Sequence, residues 1–174
     1  MYALDLKRPL QMVAPKVAVT CSVRESPVAI DLIGESMCEE RYAKGDRVIV
    51  AYIKQNPVAY LFAATTNTWV GEIEDWLDIP QGEVYLYDAY TAGDYRGMRI
   101  YPFLMCTAAR YYKRKAYRFV MIYSEAHNID SIKGIERCGF QCYGVVDYRN
   151  FFGLKSWCYG TGDRYVKARF RNED

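Results

Sequence analysis

Histidine is almost missing from this chain: a single residue, His127, in 174. The six cysteines (Cys21, Cys38, Cys106, Cys138, Cys142 and Cys158) never fall into a Cys-x-x-Cys spacing, so no familiar ligand set for a metal remains. No apolar run is long enough for a membrane span or a signal peptide, and the plain expectation is a cytoplasmic chain with reduced thiols and no membrane partner. Charge of one sign is lacking too. Lys and Arg number 23 against 21 Asp and Glu, a net charge of +2, and both signs are spread along the chain. That balance gives no electrostatic case for a nucleic-acid partner. Internal repeats and low-complexity segments are absent.

What the chain does have is apolar content for one core. At 51% hydrophobic and 25% charged over 174 residues, it fits one α/β domain covering residues 1–174. Tyrosine is abundant at 17. Tyr85, Tyr87 and Tyr90 sit in a run of strand character, where the ring packs on a sheet and the hydroxyl reaches the rim.

The stretch from 83 to 140 carries most of the functional signal. Residues 83–91 (Glu-Val-Tyr-Leu-Tyr-Asp-Ala-Tyr-Thr) have aromatic and β-branched content over strand length. The basic turn Asp94-Tyr95-Arg96-Gly97-Met98-Arg99 follows, and then Ile100, Leu104, Met105, Ala108 and Ala109 recur at helical spacing. A strand feeding a basic turn that opens a helix presents backbone N–H groups and a positive dipole end to an anion such as a pyrophosphate. Downstream come a second strand over 118–123, an Asn-led helix from Asn128-Ile129-Asp130-Ser131, and the ending Cys138-Gly139-Phe140. Cys138 and Cys142 flank Gly139-Phe140 and read as small core residues.

These residues resemble the GNAT superfamily of N-acetyltransferases over about half the chain. The family grips the pyrophosphate of acetyl-CoA with the pattern Arg/Gln-x-x-Gly-x-Gly/Ala, which falls here on Arg96-Gly97-Met98-Arg99-Ile100-Tyr101. The leading Arg is kept, and Arg99 and Tyr101 stand at the two small positions. The resemblance implies a mixed, mainly antiparallel α/β sheet with helices on both faces and two splayed parallel central strands, 83–91 and 118–123. It also implies an acetyl-CoA-dependent N-acetyltransferase acting on a primary amine, with acyl-CoA and an amine-bearing acceptor as partners. No metal is needed, and homodimerisation is compatible with this reading.

Carried onto this sequence, the resemblance assigns the diphosphate to Arg96, Gly97, Met98, Arg99, Ile100 and Tyr101. The thioester carbonyl goes to backbone N–H groups of Ala89, Tyr90 and Thr91, and the pantetheine arm to Asn128 and Ser131. Asn128 also suits a helix N-cap, and the two roles coexist. Glu83 is the candidate base, at the spacing from Arg96-Gly97 that histone-acetylating members use, although it also suits the exposed start of a strand. The family's usual tyrosine acid falls on Ile135, which cannot donate a proton, so Tyr123, Tyr87 and Asp88 on the two central strands and His127 after the second become the candidates. Two readings of another class stay open: a donor such as acyl carrier protein or aminoacyl-tRNA, and a non-catalytic acyl-CoA-binding module.

Elsewhere, residues 1–16 read as a lead-in and 17–23 as a short strand. Ser26-Pro27 opens a helix with a stripe of Ala29, Ile30, Ile33 and Met37 ending by Lys44-Gly45. Strands over 47–53 and 58–64 flank a turn at 54–57. Residues 65–82, with Trp69 and Trp76, read as an acidic loop or short helix at the mouth of the acceptor cleft. Closing strands are expected over 142–152, 156–159 and 165–170.

Overall fold

The computed structural model describes residues 1–25, 32–33, 35–160 and 170–171. In chain order the elements are β1 (Tyr2–Asp5), β2 (Thr20–Arg24), α1 (Glu35–Ala43), β3 (Arg47–Ile53), β4 (Asn56–Ala64), β5 (Thr68–Val70), β6 (Asp75–Leu77), β7 (Glu83–Thr91), α2 (Ile100–Arg114), β8 (Phe119–Ile122), α3 (Ile129–Arg137), β9 (Gln141–Cys142), β10 (Val146–Phe151), β11 (Leu154–Tyr159) and β12 (Phe170–Arg171). No helix among the described residues is long and apolar enough to cross a membrane.

Seven strands form the central sheet in the order β2-β3-β4-β7-β8-β1-β9. All neighbours are antiparallel except β7 and β8, which run parallel. Parallel neighbours need a crossover, and α2 provides it. The period of two then sorts side chains to the faces. Val84 and Leu86 of β7 join Ile49, Leu61, Val120 and Ile122 in a core sealed by Leu104, Met105 and Ala108 of α2 and by Ile135 of α3. Tyr85 points to the other face, with Val70, Ile73, Leu77 and Met121. On that face Cys38 of α1 packs on Val48, Val50, Tyr60 and Phe62. Helices therefore cover both faces, as expected.

Several connections differ from the sequence reading. Residues 1–16 are no lead-in: β1 pairs with both β8 and β9 in the central sheet, and Leu4, Leu6 and Val13 enter the core. An exposed edge on β8 would be costly to leave open, and β1 covers it. The 65–82 segment is neither loop nor helix but a β5–β6 hairpin, with Trp69 opposite Trp76 at 5.8 Å and both largely exposed. Its aliphatics, Val70, Ile73 and Leu77, make the core contact. Of the expected helical stripe, Ala29 and Ile30 lie outside the described residues, as does Ser26-Pro27; Ile33 is buried and Met37 is exposed. Cys138 is buried as expected, whereas Cys142 is exposed on the short edge strand β9. The turn after β3 is tighter than expected, because Ile53 pairs with Asn56 and only Lys54 and Gln55 lie between. The late hairpin β10–β11 forms a separate ribbon. Of the strand expected over 165–170, only Phe170 is described; β12 pairs with β6.

The α2-to-sheet contact carries the burial that fixes the crossover. Leu104 is 0% exposed there, and removing its branched side chain leaves a cavity as well as lost transfer energy. Leu104→Ala is expected to cost about 2–5 kcal/mol in urea unfolding; a loss under about 1 kcal/mol would contradict this account of the core.

Candidate functional site

β7 and β8 pair from Glu83↔Phe119 to Leu86↔Ile122 and no further. β8 ends at Ile122, while β7 runs on to Thr91. Past Leu86 the β8-facing edge of β7 therefore has no strand beside it. In the same place β7 departs from its other partner. Tyr90 pairs with Tyr60 and Tyr87 with Phe62, so Asp88 and Ala89 stand opposite Leu61 alone. Such a bulge leaves the extra residue out of the ladder and bends the strand away. Asp88 takes the left-handed conformation, φ 43°, which aspartate tolerates better than most residues.

Side chains from α1, from the turn before β3 and from β4 hold this bulge. Asp88 accepts a hydrogen bond in its ion pair with Arg41 of α1, and the Tyr60 hydroxyl lies 3.4 Å from its other oxygen. The Arg41 guanidinium lies 4.2 Å over the Phe62 ring and 5.1 Å from that of Tyr87. Tyr87 in turn donates to Asp46, which is 4% exposed. Burial pushes the Tyr60 hydroxyl up to about 12 and that of Tyr87 higher, so both remain donors.

Where the strands part, a cleft of about 760 Å³ opens. Its size suits a small-molecule site, and its position beyond the carboxyl ends of parallel strands is where α/β folds bind ligands. Leu61, Leu86, Ile100, Pro102 and Ile122 supply apolar wall. One end is basic. Arg96, whose Nε donates to the Thr91 carbonyl at 3.1 Å, leads a turn through Gly97 (φ 72°) to Arg99, the N-cap of α2. No side chain caps this helix and its first turn has no acidic residue. The N–H groups of Ile100 and Tyr101 consequently have no partner within the helix and face the dipole's positive end. Lys133 and Arg137 of α3 line the same cleft.

Tyr101 bridges the two helices. Its hydroxyl is 3.3 Å from Ser131 Oγ, and burial pushes it up to about 12. A Cβ on Gly134 would meet the Tyr101 ring at 3.2 Å, so the mid-helix glycine is what lets α3 close on this ring. Asn128 caps α3, its side chain accepting from the Ser131 N–H at 3.1 Å.

The other end of the cleft is acidic: Glu72 from the β5–β6 turn, Asp88 from the bulge and Glu125 after β8 all line it. Tyr123 lies among them. Burial first, then the Glu72 and Glu125 carboxylates, raise its hydroxyl above the ordinary phenol value. Tyr85 beneath is raised well above it by complete burial, with Glu72 adding to the effect.

Most of the expected anchor residues meet in this cleft: Ala89, Thr91, Arg96, Gly97, Arg99, Ile100, Tyr101, Asn128 and Ser131 all line it. Tyr90 and Met98 do not. Tyr90 stacks on Tyr60 at 5.8 Å, and Met98 packs against the α2 core. Of the catalytic candidates Tyr87, Asp88 and Tyr123 are at the cleft, and Glu83 and His127 are not among its lining residues. Glu83 is at the closed end of the strand pair, opposite Phe119 and 9% exposed. At about 3.3 Å per residue it is roughly 13 Å along the strand from Tyr87, too far to meet an amine in the gap. His127 does not line the cleft; its side chain is 84% exposed and pairs at 3.1 Å with Glu125, which does. Ile135 is fully buried in the core. The sequence reading set the acidic 65–82 segment, Glu72 included, at the cleft mouth but gave Glu72 no catalytic role, and it missed Glu125, Lys133 and Arg137.

Residues 22–140 match the family model described as Acetyltransferase (GNAT) family. Similar solved structures include an aminoglycoside antibiotic 6'-N-acetyltransferase from Acinetobacter baumannii, 16% identical over 77% of this chain and 98% of that chain, TM-score 0.55. An aminoglycoside N-acetyltransferase in complex with CoA is 18% identical over 67% of this chain and 84% of that one, TM-score 0.52. A ribosomal-protein-alanine N-acetyltransferase from Brucella melitensis is 21% identical over 71% and 72%, TM-score 0.51. Among curated proteins none matches the sequence. At these identities the structural likeness is one of fold.

The support beneath the bulge has a pH signature. Burial raises the Asp46 carboxyl above its ordinary value, outweighing the Tyr87 hydrogen bond. The folded chain thus holds this proton more tightly than the unfolded one. The group favours folding below its unfolded pKa and loses that contribution as pH rises through the raised value. Asp46→Asn keeps an acceptor for Tyr87 and removes the titration. Relative to the parent, its urea midpoint is expected to improve as pH rises above the ordinary carboxylate range; a difference constant with pH would contradict the assignment.

Proposed function

This chain belongs to the acetyltransferase (GNAT) family, and we propose that it transfers an acetyl group from acetyl-CoA to a primary amine on a cationic acceptor. One observation carries the reading: a single cleft is lined by a basic helix start, an unmatched strand edge and the carboxylates Glu72 and Glu125. The turn from Arg96 to Tyr101 suits a diphosphate by charge and by open N–H groups. The β7 edge past Leu86 offers backbone hydrogen bonds to an extended amide-bearing arm, and the apolar wall suits its methylenes.

Acetyl-CoA supplies an activated thioester; the chain supplies orientation, a donor for the carbonyl oxygen and proton management. Backbone N–H groups at the Asp88–Ala89 bulge are fixed by the Arg41 contacts, so they reach the oxygen without reorganising. Glu72 and Glu125 draw an ammonium group to the mouth and turn away anionic acceptors. Glu72, placed beside Tyr123, takes the amine proton directly or through water. The Tyr123 phenol, held protonated, donates a hydrogen bond to the departing sulfur. A thiolate is already stable near its own pKa of about 8–9, so this contribution is modest.

A second reading rests on Ile135, buried where the resembled family places an acid: a module that binds acyl-CoA without turnover. Transfer to a panel of mono- and polyamines separates the two.

Two outcomes test the leading reading. CoA is expected to raise the melting temperature, and Arg96→Glu to remove most of that rise with the fold intact; an unchanged response would sink the turn assignment. Glu72→Gln is expected to lower turnover about a hundredfold with the CoA response kept, and Tyr123→Phe by less. Full activity in Glu72→Gln would return the base role to water.

A further inference from the structure

The β10–β11 ribbon stands outside the central sheet, and among the described residues each of its strands has only the other as a ladder partner. One face of the ribbon is occupied. Trp157 Nε1 donates to the Ile73 carbonyl at 2.8 Å and Lys155 pairs with Glu74 at 2.8 Å, so this face is held on the β5–β6 turn. Tyr148 and Asn150 stand opposite Trp157 and Lys155 and share the held face. By alternation Asp147, Arg149 and Phe151 take the outer face, and Val145 extends their row.

The backbone of β10 alternates as well. Gly160 donates to the Val145 carbonyl at 2.8 Å, which makes 145 and 160 a hydrogen-bonded pair one step beyond Val146↔Tyr159. Val145, Asp147, Arg149 and Phe151 therefore turn their N–H and C=O groups toward β11. Val146, Tyr148 and Asn150 turn theirs to the opposite edge, where no described strand receives them. Such an edge accepts another extended segment, and a two-stranded ribbon gains stability from further strands.

The outer row selects what that segment is. Val145, Asp147, Arg149 and Phe151 read apolar, acid, base, apolar, a pattern complementary to its own reversal. A two-fold axis at Tyr148 sets Val145 opposite Phe151 of a second copy and Asp147 opposite its Arg149, each contact occurring twice. It also brings the outward backbone groups of Tyr148 onto those of its copy, and those of Val146 onto those of Asn150. Val145 is 56% exposed and Phe151 71%, so both gain cover. Asp147 and Arg149 pair with each other at 2.7 Å on the exposed surface, an ion pair weak enough to exchange partners. Moving the axis by one residue sets Asp147 against Asp147 or Arg149 against Arg149, and like charges directly opposite are destabilising.

We propose that two copies of this chain pair β10 with β10 in antiparallel register about Tyr148, joining their ribbons into one continuous sheet. The contact is a strand edge with a short row of side chains, smaller than the roughly 800 Å² per partner of a standard interface, so the dimer forms in a concentration-dependent way. No residue of β10 or β11 lines the cleft, and the proposal stands apart from the acetyl-transfer reading.

Sedimentation velocity on the full chain over about a hundredfold range of concentration is expected to show a monomer–dimer equilibrium. Asp147→Arg and Arg149→Asp each set like charges opposite one another and are expected to weaken the dimer about tenfold or more. Both positions are exposed, and equal melting temperatures at a concentration where all are monomeric check the fold. Mixed in equal amounts, the two variants complement each other and are expected to form a mixed dimer about as strong as that of the parent. A parent that stays monomeric throughout overturns the proposal. So does a dimer that neither variant weakens, which is then held by another surface, and so does a mixture that fails to recover the dimer.

Discussion

Hydrogen bonding between β7 and β8 stops at Leu86–Ile122 while β7 continues to Thr91, and the architecture of the site depends on that mismatch. A strand edge with unmatched N–H and C=O groups is a liability in most proteins and invites another extended chain. Here the bulge at Asp88–Ala89 turns it away from β4 as well, so the last residues of β7 form one wall of a cleft. The conformation is held from beneath. Arg41 pins Asp88 while packed on Phe62 and Tyr87, and Tyr87 is tied to buried Asp46. Loosening any of these would let the edge move before it affected global stability.

The helices complete what the sheet opens. Tyr101 and Gly134 set the approach of α2 and α3, with the ring lying against a position that has no Cβ. That contact fixes how far Arg96 and Arg99 stand from Lys133 and Arg137. At the opposite end the β5–β6 hairpin projects Glu72 toward Tyr123, and Glu125 adds charge. The cleft therefore has a sign at each end. A field of that kind suits the proposed pairing of an anionic donor with a cationic acceptor.

Much of this was legible in the sequence, and the reason is local. The bounds of β3 and β7 follow from dense β-branched and aromatic runs, and α3 announces itself by its Asn128 cap. The basic turn is a contiguous string whose chemistry needs no tertiary contact to recognise. What stayed hidden depends on partners far away in the chain. β1 is four residues long and becomes a strand because β8 and β9 receive it. The tryptophans of the β5–β6 hairpin pair with each other across it, which no periodicity shows. Glu83 has the right spacing in sequence, and in space it lies where β7 and β8 are still paired, opposite Phe119. Glu72 has no motif at all, and only the folded hairpin brings it to the gap.

The central claim is that the β7 edge beyond Leu86 receives the donor. Amide hydrogen exchange, resolved to peptides spanning 84–95, tests this in solution with and without CoA. Residues 87–91 are expected to exchange slowly on their β8-facing amides only when CoA is bound, because the ligand then supplies the missing hydrogen-bond partners. If CoA binds and protection appears elsewhere while 87–91 exchange as before, the cleft between the parted strands is not the donor site.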